Sequence, residues 1–276
     1  AGLKEALDTG VGIMVDSAGL NGGFWDRSDL EGFAKNQAIQ ILLPEEVQSS
    51  LEVVQKISLD VNTWKNDLSD NTFGASDFII DQLNIGFIQD VELMETLKDS
   101  LWRSLNRAAE HAAPAAKELF IEAISDLSIK KVIQLLFSED SAAATLYLKD
   151  QTMTGLIAVF QPRVFESMEQ VEANRLWSRY SSLYNSYIKD YKTLESDINS
   201  QSLLPQSLKD GIQFLDSFPE TLPEDLSDYT TQYALDGLFK LVSQEEYRIR
   251  ENPFRYSSNL LEEIFTLIED EINLRD

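Results

Sequence analysis

Residues 91–108, VELMETLKDSLWRSLNRA, decide the fold class. Met94, Leu97, Leu101, Leu105 and Ala108 follow one another at steps of three and four, the spacing that gathers side chains on one face of an α-helix. Outward from this stretch the same period recurs. Before it, Leu42-Leu43-Pro44-Glu45-Glu46 reads as a helix start, because proline suits the first turn and acids suit the positive end of the helix dipole. Val47, Leu51, Val54 and Ile57 then mark an apolar face. Nearer the N-terminus, Leu3, Ala6, Leu7, Ile13 and Met14 have helical spacing, and 19–23 reads as a glycine-containing loop.

After it, Pro114 interrupts or restarts the helix, and Ala116, Leu119, Phe120, Ala123 and Ile124 continue the pattern. Ser128 and Ser141 are expected to cap the next two helices. The second of these should run from Ala142 to Phe160 and stop at Pro162, and a long helix should then cover about 163–196. Residues 197–224, with Pro205, Pro219 and Pro223, read as an irregular connection with a short helix at 206–215. Ser227 should cap a helix that Asn252-Pro253 stops, and the last helix should span about 257–272. Ala38–Leu42 is the one fair strand candidate. The expectation is an all-α protein, one domain over 1–276, a bundle of about eight helices with irregular connections.

Composition narrows the function classes. The chain has 276 residues, 43% of them hydrophobic, so it can bury a sizeable core. Its net charge of −24 opposes binding to phosphate backbones, and nucleic acid is set aside as a partner. Anionic membrane surfaces are disfavoured for the same reason. The charge serves solubility, or it serves a cationic protein partner or diffuse binding of divalent cations. There is no cysteine, so disulfides and thiol chemistry are excluded; one histidine, His111, excludes multi-histidine zinc sites. No run of 18 apolar residues is present to span a bilayer. Gly10-Val11-Gly12 follows a helical pattern, not a strand, and is no dinucleotide fingerprint. Acidic pairs such as Glu45/Glu46, Glu245/Glu246 and Glu262/Glu263 are expected by number alone among 47 acids, and identify no glycosidase. Asp67, Asp70 and Asp77 lack the register of an EF-hand loop. No catalytic residue, metal site or required cofactor is assigned.

Two constellations stand out. Trp177, Tyr180, Tyr184, Tyr187 and Tyr191 step at three and four residues along one helix, so five rings share one face. They are either the wall of a groove for an apolar or planar ligand or a face packed on the core. Asn106, Arg107 and Glu110 fall in mid-helix, where buried polar groups need partners; they are expected to form an interhelical network, with an Arg107–Glu110 pair inside it, in preference to the alternative of a ligand contact. Glu246, Arg248 and Arg250 precede a helix end, where cations meet free carbonyls.

The ordered set Gly2-Leu3-Lys4-Glu5-Ala6-Leu7, Ile39–Pro44, Asn106–Glu110, Ala143–Tyr147, Ala234–Phe239, Glu245-Glu246 and Ile249–Pro253 resembles the bacterial domain-of-unknown-function family 4197 over nearly the whole chain. The resemblance implies a helical single domain, often made with a signal peptide or lipoprotein signal, and it implies no activity. Together with a chain that starts at Ala1, read as a processed N-terminus, it points to a secreted or periplasmic protein. The Asp67–Asp77 loop is longer and more acidic than the family pattern, and the aromatic stripe lies outside its fixed motifs. Two functional readings follow. One is a non-enzymatic binding protein that encloses an apolar or aromatic-lined groove for a lipid-like or pigment-like small molecule, with the five aromatic residues as ligand contacts. The alternative is an acidic structural or interaction protein of the cell envelope or extracellular space with no small-molecule ligand.

Overall fold

The structure, a computed structural model, describes residues 2–25, 39–56, 91–136, 138, 140–200, 222–223 and 225–252. Among them every regular element is helical: α1 (Gly2–Ala18), a helical segment over 45–56, α2 (Val91–Ala112), a 3-10 turn (Ala113–Ala116), α3 (Lys117–Ser125), α4 (Ile129–Leu136), α5 (Ala143–Gln170), α6 (Ala173–Ser200) and α7 (Ser227–Glu251). The all-α expectation holds. The acidic loop at 66–77 and the helices expected at 206–215 and 257–272 lie outside the described residues.

Within the chain the helices gather into two compact units, each built from separated segments. The first takes Ala1–Ile41, Arg103–Val171 and Ser227–Asp276, and the second Leu42–Trp102 and Glu172–Leu226. In the first, α7 packs along α5 and α1, α1 along α3, and α3 along α5. The apolar faces meet as their spacing dictates. Leu7, Val11, Met14 and Val15 of α1 are buried, with Leu148, Leu156, Phe160 and Val164 of α5 and Leu235, Leu238, Leu241 and Val242 of α7. Phe120 and Phe239 meet edge to face at 5.3 Å. Gly237 lets α7 pass close to the N-terminal segment: a Cβ there would stand 3.1 Å from Ile39 Cβ and 3.3 Å from Phe24 Cε1. In the second unit, Val47, Leu51 and Val54 of the 45–56 segment, Met94, Leu97 and Leu101 of α2, and the aromatic face of α6 are buried.

Three local readings are corrected. First, α5 does not stop at Pro162 but runs to Gln170. Proline removes the hydrogen bond to Ala158, yet both residues are exposed, so the freed carbonyl meets water, while buried Phe160 and Val164 hold the helix on the core. The interruption comes ten residues later, at Glu172, whose φ of 60° ends the helix; the next helix starts at Ala173. Second, Ser141 does not cap α5. Its N-cap is Ala142, with no side-chain cap of its own. Ser128 does act as expected, accepting the Lys131 N–H at 3.2 Å. Third, no strand forms at residues 39–42, where the backbone of Ile41 is paired with a side chain instead.

Candidate functional site

The Asn106–Glu110 turn of α2 holds the first unit's N-terminal segments. The Asn106 side chain is wholly buried. Its Oδ1 accepts the Ile41 N–H at 2.8 Å and its Nδ2 donates to the Ile41 carbonyl at 2.9 Å. One side-chain amide thus satisfies both backbone groups that a neighbouring strand would otherwise take. One turn on, buried Glu110 accepts the Phe24 N–H at 3.3 Å and pairs with Arg107 Nη1 at 2.6 Å. Arg107 also donates to Asn21 Oδ1 at 2.8 Å. Of the three residues expected to form an interhelical network, Arg107 and Glu110 pair with each other and Asn106 bonds separately to Ile41; the further partners are backbone and loop groups. The neighbouring loop places Gly22 at φ 81°, a conformation in which a Cβ is disfavoured. An Asn106→Ala variant leaves two buried backbone groups unpaired. It should lose about 2 kcal/mol or more of stability, read as a lowered denaturation midpoint; an unchanged midpoint would show that Ile41 finds other partners.

A second buried charge network joins α5 to α7. Glu246 Oε1 accepts the Ala144 N–H at 2.9 Å, and Oε2 accepts the Thr145 N–H and hydroxyl, both at 2.8 Å. This carboxylate from α7 is the N-terminal cap of α5 that Ser141 was expected to be. It places a full negative charge against the positive end of the helix dipole. Arg250 closes the arrangement, donating to Glu246 Oε1 from Nη2 at 2.7 Å, and to the Leu135 carbonyl at 2.7 Å and the Ser138 carbonyl at 3.3 Å. Arg250 does meet free carbonyls, as expected of a cation at a helix end, but they belong to the last turn of α4 and the residues just after it. Glu245 pairs with Arg248 at 3.2 Å. The i, i+4 spacing of Glu246 and Arg250 was the available signal; nothing local shows that the carboxylate reaches another helix.

The aromatic stripe lies in the second unit. Trp177, Tyr180, Tyr184, Tyr187 and Tyr191 are all buried, none more than 4% exposed. Trp177 and Tyr180 stack at 6.1 Å. The Tyr180 hydroxyl lies 2.9 Å from Ser50 Oγ and donates to the Val47 carbonyl at 3.2 Å, so its polar tip is satisfied inside the unit. Burial raises the Tyr180 phenol above its ordinary range, against a smaller lowering by the Ser50 hydrogen bond. Burial, with the neighbouring Tyr180, pushes Tyr184 up to about 12. A phenol that ionises near 10 when unfolded and near 12 when folded favours the folded state fully below pH 10. That contribution is lost as pH rises from 10 toward 12. Tyrosinate absorbance should therefore show a late-titrating fraction whose ionisation coincides with loss of helical circular dichroism; full titration of all tyrosines at pH 10 with helicity intact would contradict it.

An open groove of about 530 Å³ lies in the first unit, within the usual range for small-molecule sites. Lys149, Met153, Ile157 and Gln161, spaced four residues apart, line it from α5, and Asp228, Thr231, Gln232, Leu235 and Asp236 from α7. The two helices run antiparallel here. Lys149 pairs with Asp236 at 2.8 Å, and at the other end Gln161 Nε2 donates to Asp228. Leu235 is fully buried at the floor while Ile157 is 43% exposed on the wall. Buried Thr231 Oγ1 has no hydrogen-bond partner among the described residues. The four-residue spacing on α5 is the trace of this groove in the sequence, and none of its lining residues is among the candidate ligand contacts that the sequence singles out. His111 is exposed, and among the described residues no three acidic or histidine side chains converge as metal ligands would. Among the same residues no helix is long and apolar enough to cross a membrane.

These features define a helical protein with buried polar clamps and a lined groove in its first unit. Residues 87–266 match the family described as Protein of unknown function (DUF4197), and the chain belongs to that family. The matched span includes the α2 network, the aromatic stripe, the groove and the Glu246–Arg250 pair; Phe24 and Ile41 precede it. No curated protein and no solved structure matches the chain.

Proposed function

We propose that this chain is a non-enzymatic binding protein and that its ligand, a small molecule with an apolar body, sits in the α5–α7 groove. The observation that carries this reading is the groove's lining: an apolar middle of Met153, Ile157 and Leu235, closed at each end by a polar cross-link. Apolar walls with a few placed polar groups are the usual make-up of small-molecule sites. The five aromatic residues proposed from sequence as ligand contacts are better explained as the interior of the second unit, given their burial and the satisfied Tyr180 hydroxyl. No catalytic group and no required cofactor enter this reading.

The test uses Ile157, whose exposure makes it removable without unfolding. An uncharged polarity-sensitive dye should bind the wild type, and an Ile157→Gln variant should bind it at least roughly fivefold more weakly, as expected for loss of one apolar side chain from a site, with an unchanged melting temperature. Equal binding by both proteins would remove the groove as the site.

A second reading rests on the net charge of −24: an acidic interaction protein of the cell envelope or extracellular space that meets a cationic protein partner. Capture of such a partner should weaken steeply between low and physiological salt. Fractionation of cells making the full coding sequence checks the compartment.

A further inference from the structure

We propose that the ligand of the α5–α7 groove carries a cationic head, an alkylammonium group in chemical class, seated at Asp228. This rests on the groove reading above and adds the polarity of the ligand. The two ends of the groove differ in charge. At one end Lys149 Nζ lies 2.8 Å from Asp236 Oδ1 and 5.6 Å from the centre of the Phe239 ring, so the cation and its carboxylate already answer each other. At the other end, among the described residues, the partner of Asp228 is the neutral amide of Gln161. A carboxamide leaves the carboxylate's charge in place. Asp228 lies in the first turn of α7, where the helix dipole offsets about half of one charge at most.

An anionic head would have to separate Lys149 from Asp236 and approach against the field of a chain carrying −24. A cationic head gains from both. From Asp228 to Asp236 is eight residues of α7, about 12 Å of groove at ~1.5 Å per residue. A short alkyl tail starting at Asp228 would run past Thr231, over Leu235 and between Met153 and Ile157. Thr231, one turn from Asp228, brings a buried hydroxyl with no partner among the described residues, which a head-group N–H would satisfy after rotation of the side chain.

The experiment is calorimetric titration of the whole chain with octylammonium chloride, octan-1-ol and sodium octanoate, all below micellar concentrations, repeated on Asp228→Asn and Ile157→Gln. Octylammonium is expected to bind roughly fivefold or more tightly than octanol, the scale of one partly exposed ion pair, and octanoate the weakest. Asp228→Asn should remove the preference for octylammonium and leave octanol binding unchanged, while Ile157→Gln should weaken both. Binding of octanol and octylammonium with equal affinity, each weakened by Ile157→Gln, would overturn the cationic head and leave the groove reading standing. Octylammonium binding that neither variant weakens would show diffuse attraction to the acidic surface and overturn the head-group assignment. No binding by any probe would overturn both.

Discussion

Replacing Glu246 by alanine is expected to cost about 3–5 kcal/mol of stability, the usual range for breaking a buried ion pair by removing one partner. The carboxylate accepts from two backbone N–H groups, one hydroxyl and the Arg250 guanidinium, and the residue is 4% exposed. Alanine leaves the Ala144 and Thr145 N–H groups at the start of α5 without their acceptor and leaves Arg250 largely buried without its counter-charge. The loss should appear as a lower midpoint in chemical denaturation. Glu251→Ala serves as the comparison: that carboxylate is exposed and bonded only to the exposed Tyr247 hydroxyl among the described residues, so its removal should change stability by no more than about 0.5 kcal/mol. Similar small effects at both positions would mean that α5 does not depend on the carboxylate from α7.

The second large effect is expected at Tyr184. Its ring is wholly buried on α6, and Tyr184→Ala should cost about 3–5 kcal/mol through lost burial and the cavity left behind. Tyr184→Phe keeps the ring and should cost far less, on the order of 1 kcal/mol. The pair of variants separates the two roles open to the aromatic stripe. If the stripe packs the second unit, the alanine variant loses melting temperature with no ligand present. If the stripe lines a ligand site, the alanine variant keeps its fold and loses a co-purifying apolar molecule. Native mass spectrometry of wild type and variant beside a thermal melt reads both outcomes.

How much was legible varies with how local the cause is. The face Met94–Ala108 and the stripe Trp177–Tyr191 could be read directly, because a helix turns period into geometry within a few residues. Asn106, Arg107 and Glu110 could be marked as needing partners, since polar groups in a buried helix face carry that requirement with them. Their partners could not be named: Ile41 and Phe24 lie 65 and 86 residues away in sequence. Pro162 misled for a related reason. A proline breaks an isolated helix, but here packing on both sides of it outweighs one lost hydrogen bond on a solvated face. Ser141 looked like a cap because capping is usually local, whereas α5 draws its cap from a residue about a hundred positions on. The groove was legible only as a four-residue rhythm on α5, since the helix opposite it is chosen by the fold.

The pairing of Asn106 with Ile41 has a consequence for how the protein behaves in a crowded solution. Residues 39–43, Ile-Gln-Ile-Leu-Leu, form an uncharged, β-prone run outside any helix. Such a run with open backbone groups is a template onto which another chain can add as a strand. The Asn106 amide occupies the N–H and C=O of Ile41 at the run's centre, so there the backbone is already paired by a side chain from α2. Another strand could pair at Ile41 only by displacing Asn106.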